Sequence, residues 1–340
     1  MKPITNNTGV SLALAVWLVD DTYDYSKEQN YISATGLMKP LRQIVLPGRI
    51  KPEERETEDV EDFIPRALGH SIHDSVEKAW TQRHKENLYK LGYPEAVVNR
   101  VLVNPTDEQV VNFRLKAKGV EPILIYVEQR ALKQVTVMGK TWTVGGKFDM
   151  VSDGLVQDFK STSAYTWVYG GRDDEHALQG SLYRWLNPEK ILEDYIRINY
   201  IFTDWQKFQA KSNPNYPQQR VEHKDIALLG VAETEQWVVD KLTQVMKHWN
   251  LPEDQIPECT DEELWMSDPV HKYYAKPETA AAKGRCTKKF DSLVEARQHM
   301  ADKQGKGIII TDKGEPKRCD WCAAFNNCTQ KDSFEKYQLT

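Results

Sequence analysis

Residues 142–160 read WTVGGKFDMVSDGLVQDFK. Two β-forming runs, Trp142 to Val151 and Leu155 to Lys160, flank Ser152-Asp153-Gly154. Their β-branched and aromatic residues favour strands. Gly154 supplies the positive φ that a two- or three-residue hairpin needs. Side chains alternate along a strand, so Val156, Asp158 and Lys160 share one face, and Leu155, Gln157 and Phe159 the other. Asp149 lies near the end of the first strand, while Asp153 belongs to the turn. Neighbouring carboxylates repel unless a cation lies between them, and Mg²⁺ or Mn²⁺ suits such an oxygen cage. A lysine two residues beyond an acid can orient or activate water, or stabilise charge on a phosphate. That is the chemistry of metal-dependent phosphodiester hydrolysis. Surface hairpins also end in Asp, Gly and Lys, so the meaning of this one depends on what surrounds it.

The strand pattern extends upstream. ILIYVEQRAL and KQVTV, from Ile123 to Val137, precede the hairpin, with Met138-Gly139-Lys140 as a second turn, making an antiparallel meander. Glu128 lies in the first strand, with Arg130 on the same face; it is either an ion-paired surface acid or a third acidic group near the metal. Before the strands, residues 64–91 carry Leu68, Ile72, Val76, Ala79 and Trp80 at helical spacing. His73 sits beside that stripe, one turn before Glu77. Residues 31–50 read as a helix capped by Ser33 or Thr35, with Leu37, Leu41, Ile44 and Val45 inward, divisible at Pro40. Residues 51–62 read as a charged linker, and 92–120 as a short helix and an exposed loop.

After the hairpin, residues 161–171 read as a polar and aromatic loop placed to touch a substrate backbone. Asp173 to Asn187 follows as a helix burying Leu178, Leu182, Trp185 and Leu186. Gln179 and Tyr183 are stacked one turn apart on its other face. Tyr195 to Phe202 is a further strand. Residues 231–250 form an amphipathic helix with Trp237, Val238, Leu242, Val245 and Trp249 inward.

The 340-residue chain is 40% hydrophobic and 28% charged, the composition of a globular protein, with a net charge of −5. A nucleic-acid partner would therefore have to meet local cations, such as those in Lys39 to Arg55 or Lys283 to Lys289, both of which also fit an ordinary solvated face. Val10 to Val19 (VSLALAVWLV) is too short to span a bilayer and lacks a basic leader, so a buried helix or strand is expected there. The expected compartment is the cytoplasm, or the host cytoplasm for a phage-encoded chain, with no membrane association. Five cysteines in that compartment suggest metal or redox use rather than disulfides.

Taken in order, Gly69-x-x-x-His73, Glu128, Asp149, Asp158-x-Lys160 and Gln179-x-x-x-Tyr183 resemble the RecB-type branch of the PD-(D/E)XK nucleases. The resemblance covers residues 66–203. It implies an α+β, restriction-endonuclease-like core, a small mixed sheet flanked by helices. His73, Asp149 and Asp158 would bind Mg²⁺ or Mn²⁺, with the Phe159 carbonyl as a further ligand. Lys160 would be catalytic, and Glu128, Gln179 and Tyr183 supporting. The implied activity is DNA hydrolysis, as an exonuclease on single strands or duplex ends, in recombination, repair or phage DNA metabolism. No Walker A loop is present, so a helicase or recombinase partner would be a separate protein.

Cys319-x₂-Cys322-x₅-Cys328 lets thiolates of one short segment reach a common centre. A fourth ligand must come from Cys259 or Cys286. Cys259 is favoured, because it lies in a Pro-Glu-Cys turn before a helix, whereas Cys286 lies in a cationic stretch. Part of the RecB-type family, the CRISPR-associated exonucleases and AddB subunits, carries a [4Fe–4S] cluster on such cysteines, which implies a C-terminal clasp of that kind here. In that subset the distant cysteine usually precedes the core, and here all five follow it. A Cys₄ zinc site is the alternative. The expected organisation is an N-terminal helical segment (1–65), a nuclease core (66–250) and a Cys-rich segment packed on the core (251–340). The competing function is a non-catalytic DNA-binding or assembly protein with the same fold and a structural zinc.

Overall fold

The computed structural model describes residues 4–21, 26–51, 57–170 and 172–337. The chain forms two compact units, Met1–Lys39 with Glu56–Met246, and Pro40–Arg55 with Lys247–Thr340. This differs from the expected division at 65 and 250. Val45, Leu46 and Ile50 are buried against Ile256 and Ala324, so the segment after Pro40 belongs with the C-terminal unit.

The first unit is built on a mixed seven-stranded sheet. Its strands are β1 (Tyr31–Ser33), β2 (Val101–Val103), β3 (Ile123–Val137), β4 (Lys140–Ser152), β5 (Leu155–Thr162), β6 (Tyr195–Phe202) and β7 (Val221–Ala227). They lie in the order β2-β3-β4-β5-β6-β7, with β1 also paired to β4. The steps β3–β4, β4–β5 and β6–β7 are antiparallel, whereas β2–β3, β5–β6 and β1–β4 are parallel. Four helices matter below: α1 (Leu12–Leu18), α2 (Ile64–Lys90), α3 (Asp173–Leu186) and α4 (Val231–His248). The architecture is α+β.

Asp153 and Gly154 both have positive φ, 49° and 88°, the signature of a type I′ hairpin turn whose twist matches its strands. The pairing it starts is short: Ser152–Leu155, Val151–Val156 and Met150–Gln157, then no further. The strands part just where Asp149 and Asp158 begin. Strand β4 is buried at every position from Trp142 to Val151 except Lys147, as expected of a central strand covered on both faces. The parallel step from β5 to β6 requires a crossover, and α3 supplies it. That helix lies directly on the sheet because glycines leave it room. A Cβ on Gly146 would stand 2.7 Å from Leu186, and one on Gly180 would stand 2.8 Å from Ile196. Elsewhere Trp80 and Leu88 of α2 pack with Val101, Ile125, Val127, Met150 and Phe159.

Several local expectations are corrected. Tyr31–Ser33 is a strand, because Tyr31, Ile32 and Ser33 pair with Thr143, Val144 and Gly145. Ser33 does cap a helix, accepting from Gly36 N–H, but that helix ends at Leu37, and a second runs from Leu41 to Arg49. Of the stretch 51–62, residues 52–56 lie outside the described residues; Glu58–Asp59 is a short strand parallel to Ile4–Thr5. The segment 92–120 contains β2 and a helix, Asp107–Lys116, whose Thr106–Gln109 capping box was legible. Helix α1 is exposed at Leu12, Leu14 and Val16 and buried only at Leu18. Its sequence is apolar all round, and a surface helix can bury only one side, here against Val60 and Phe63. In α2, Leu68 is exposed and no residue is fully buried. Residues 164–169 are helical rather than loop, the buried Ala164 and the ring of Trp167 overriding weak helix propensity. Gly171 of that stretch is not among the described residues.

The second unit holds a three-stranded antiparallel sheet, Lys288–Phe290, Val270–Tyr274 and Ile308–Asp312, in that order. Helix Leu293–Asp302 closes its core of Tyr273, Phe290 and Ala296. The cationic run from Lys283 therefore leads into an edge strand. Arg42 and Arg49 of the other cationic segment turn inward: Arg42 is 4% exposed, and Arg49 donates to the carbonyls of His248 and Leu251. Arg55 lies outside the described residues. Among those residues no helix is long and apolar enough to cross a membrane.

The close seat of α3 is testable. Gly180→Val is expected to cost about 1–3 kcal/mol by overpacking against Ile196, lowering the calorimetric midpoint by roughly 2–10 °C; an unchanged midpoint would show that α3 can shift freely.

Candidate functional site

Where β4 and β5 separate, Phe159 N–H donates to Asp149 Oδ2 at 2.9 Å, spanning the gap. Helix α2 brings His73 to this point. Its Nδ1 lies 3.3 Å from Asp149 Oδ1 and 3.5 Å from Glu128 Oε1. Glu128 sits in mid-strand with φ of 52°, the left-handed region that non-glycine residues avoid. Its neighbours Val127 and Gln129 keep their partners Met150 and Phe148, while Glu128 drops out of the ladder opposite Asp149. Such a conformation costs on the order of 1–3 kcal/mol and persists only where surrounding structure enforces it. Lys147 Nζ holds the other oxygen, Glu128 Oε2, at 2.5 Å.

One donor atom each from His73, Glu128 and Asp149 lies within 4.8 Å of the others, the one such group among the described residues. The three line a cavity of about 430 Å³ together with Tyr31, Ser33, Lys147 and Tyr183. Hydrogen bonding to Asp149, then to Glu128, pushes the His73 imidazole up to about 10 against the opposing effect of burial. Burial raises Glu128, but His73 and Lys147 outweigh it and hold the carboxyl below its ordinary value. The two carboxylates thus favour positive charge between them, which raises the imidazole. A divalent cation would have to displace the imidazole proton to gain a neutral nitrogen ligand.

A second set lies behind the first. Asp158 is 1% exposed, and burial, with the charge of Asp149, pushes its carboxyl up to about 6 despite Lys160. Lys160 Nζ meets Asp158 Oδ2 at 2.8 Å, an ion pair. Burial lowers the Lys160 ammonium, and the Asp158 ion pair more than restores it, holding the group above its ordinary value. Gln179 Nε2 donates to Asp158 Oδ1 at 3.0 Å and to the Tyr183 hydroxyl at 2.9 Å. Both side chains are buried on α3.

The sequence-derived residues therefore fall into two linked groups. His73, Asp149 and Glu128 converge, with Glu128 nearer the centre than a supporting role requires. Asp158, Lys160, Gln179 and Tyr183 form the second group, joined to the first through the Phe159 N–H. The Phe159 ring is engaged in the core and stands edge-on to His73 at 6.3 Å. Lys147 was missed, although strand alternation already placed it on the face of Asp149. Tyr31 and Ser33 were missed because their strand was read as helix.

In the second unit, burial and then nearby charge, including that of Cys328 and Cys322, push the Cys259 thiol up to about 12. Burial and the same two cysteines push Cys319 up to about 11. Cys322 and Cys328 thus lie within electrostatic reach of both Cys259 and Cys319, whereas Cys286 acts on Lys272 of the small sheet. The Gln330 side chain pairs with both the N–H and the carbonyl of Cys259, at 2.9 and 2.8 Å. Arg42 Nε donates to Cys328 Sγ at 3.1 Å, and its Nη1 to the Ile256 carbonyl at 2.7 Å.

No protein family and no curated protein matches the chain. Among solved structures, SSO0001 is similar with a TM-score of 0.40 and 16% identity, over 71% of this chain and 86% of that one. A phage-related exonuclease from Haemophilus somnus 129PT is similar with a TM-score of 0.24 and 12% identity, over 64% of this chain and 96% of that one. At such scores neither likeness bears on what this chain does.

The Gln179–Asp158 bond has a measurable value. Gln179→Leu leaves a buried carboxylate oxygen without its donor and is expected to cost about 1–3 kcal/mol; denaturant unfolding that matches the wild type would rule this out.

Proposed function

We propose that this chain is a Mg²⁺- or Mn²⁺-dependent DNA nuclease of the RecB type, acting as an exonuclease on single strands or duplex ends. The observation that carries the reading is the convergence of His73, Glu128 and Asp149 within 4.8 Å beside the Asp158–Lys160 pair. Hard divalent cations take oxygen-rich sites of this kind. A bound cation would supply charge to the phosphoryl oxygens and make water a better nucleophile. The residues of the chain divide the remaining work. His73, Glu128 and Asp149 hold the cation, and Phe159 N–H fixes the Asp149 carboxylate. Asp158 keeps Lys160 protonated and in place, aimed at the attacking water or the phosphate. Gln179 and Tyr183 restrain Asp158 from behind, so its charge stays directed at the lysine.

Cys259, Cys319, Cys322 and Cys328 would hold a [4Fe–4S] cluster, with a Cys₄ zinc site as the alternative. The Arg42 hydrogen bond to Cys328 is the kind of contact that tunes cluster sulfurs. The cluster would clasp helix Leu41–Arg49 to the C-terminal segment by coupled folding, and need not take part in hydrolysis. A cytoplasmic setting and a separate helicase or recombinase partner complete the reading.

Labelled single- and double-stranded DNA incubated with Mn²⁺ tests the activity. The wild type is expected to degrade at least one form, and Lys160→Ala to be slower by about 10²-fold or more; DNA left intact by the wild type in every format would remove the enzyme reading. Anaerobically purified protein is expected to be brown, with broad visible absorption. Colourless protein carrying stoichiometric zinc would refute the cluster.

A further inference from the structure

Strand β5 ends at Thr162, and the helix Ala164–Tyr169 (AYTWVY) follows at once. At helical spacing Trp167 lies about 200° round the axis from Tyr165, whereas Tyr169 lies within about 40° of it. Trp167 is the anchor: its ring meets Tyr200 and Phe202 edge-on at 5.6 and 5.9 Å. The Ala164 N–H donates to Asp204, and the Thr166 and Thr162 hydroxyls are hydrogen-bonded at 2.8 Å. On the opposite side Tyr165 and Tyr169 are 62% and 69% exposed, their ring centroids 4.1 Å apart. Nothing in the packing of the helix requires these two aromatic rings, tilted 31° to each other, in water.

Trp167 also lines a cavity of about 160 Å³ with Tyr200, Arg172, Asp173 and Lys224. Tyr200 is the ladder partner of Lys160, so the cavity lies one strand from that lysine. The lining brings two cations, Arg172 and Lys224, against one acid, Asp173, at the start of a helix whose first turn also carries Asp174 and Glu175. Burial, then Lys160 and Arg172, push the neighbouring His176 down to about 4. Lys224 pairs with Asp173 at 2.5 Å, but both side chains are nearly half exposed. A pair so exposed contributes little and can yield to a phosphate.

We propose that helix Ala164–Tyr169 and the adjoining Arg172–Lys224 cavity form a platform on which unpaired bases of a DNA strand stack while its phosphates meet the cations. Aromatic faces beside a basic groove are the means by which single strands are held without reading sequence. In a duplex those base faces are covered by their neighbours, so the platform selects single-stranded over paired ends. The proposal deepens the nuclease reading by naming the form of its substrate, and rests on that reading only for where the strand is cut.

The test is fluorescence anisotropy of labelled oligothymidylate and of a blunt duplex, with full-length Lys160→Ala protein in EDTA so that no cutting intervenes. The single strand is expected to bind more tightly than the duplex. Adding Tyr165→Ala with Tyr169→Ala is expected to weaken the single strand at least about 10-fold, while the duplex is unaffected and the paired Phe substitutions retain binding. Unchanged affinity in the Ala pair, a duplex bound as tightly as the single strand, or no binding at all would overturn the platform. DNA cutting with tyrosine-independent binding sinks the platform alone; tyrosine-dependent binding in a protein that cuts nothing sinks the nuclease reading alone.

Discussion

Glu128 and Asp149 stand opposite each other on adjacent strands, where two carboxylates would ordinarily push the ladder apart. Three features hold them together. The Glu128 backbone leaves the ladder for the left-handed region, Lys147 takes one of its oxygens, and His73 reaches in from α2 toward both acids. Each draws on a different part of the first unit: the break in the β3–β4 ladder at Glu128, the one less-buried position of β4 between Trp142 and Val151, and a long helix that packs only lightly. The short β4–β5 pairing belongs to the same constraint. Continued in register, the next pair would set Asp149 opposite Asp158 and close the gap that Phe159 N–H now spans to Asp149. The sheet is therefore least regular where charge is most concentrated, as expected if local strain is retained at a functional position.

A second layer keeps this charge directed. Asp158 is deeper than Asp149, and burial, which disfavours its ionised form, raises its carboxyl above the ordinary value. Lys160 and Gln179 compensate from two sides. Gln179 can do so only because α3 is pressed onto the sheet, which in turn depends on Gly146 and Gly180 having no side chains. A packing requirement in the middle of the domain and a hydrogen bond at the site are thus one constraint, met by glycines that carry no chemistry themselves.

The hairpin, the His73 helix and the Gln179–Tyr183 turn were legible because each is written in local periodicity: two-residue alternation, helical spacing, and an Asp-Gly turn. What escaped was set by distant partners. Tyr31–Ser33 is too short to announce itself and becomes a strand only beside Thr143–Gly145. The helix Ala164–Tyr169 has aromatic residues that read as loop until Tyr200 and Phe202 receive Trp167. Glu128 gives no sign in sequence of its positive φ, so its move toward His73 was not readable. The C-terminal sheet escaped for a related reason: Val270–Tyr274 and Ile308–Asp312 have strand-forming residues but are only five residues each and find each other across a long separation in sequence.

The charge balance now has a spatial account. A chain of net charge −5 can meet a polyanion only where cations are gathered and acids are occupied. Arg42 and Arg49 do not serve, since they spend their donors on backbone carbonyls and on Cys328. Around the candidate site the arrangement is the reverse. Glu128 and Asp158 are each matched by a lysine, Asp149 accepts from the backbone of Phe159, and Arg172 and Lys224 line the neighbouring cavity. Lys147, Lys160 and Lys224 are each matched by an acid, and a cation bound among His73, Glu128 and Asp149 would offset part of the negative charge left there.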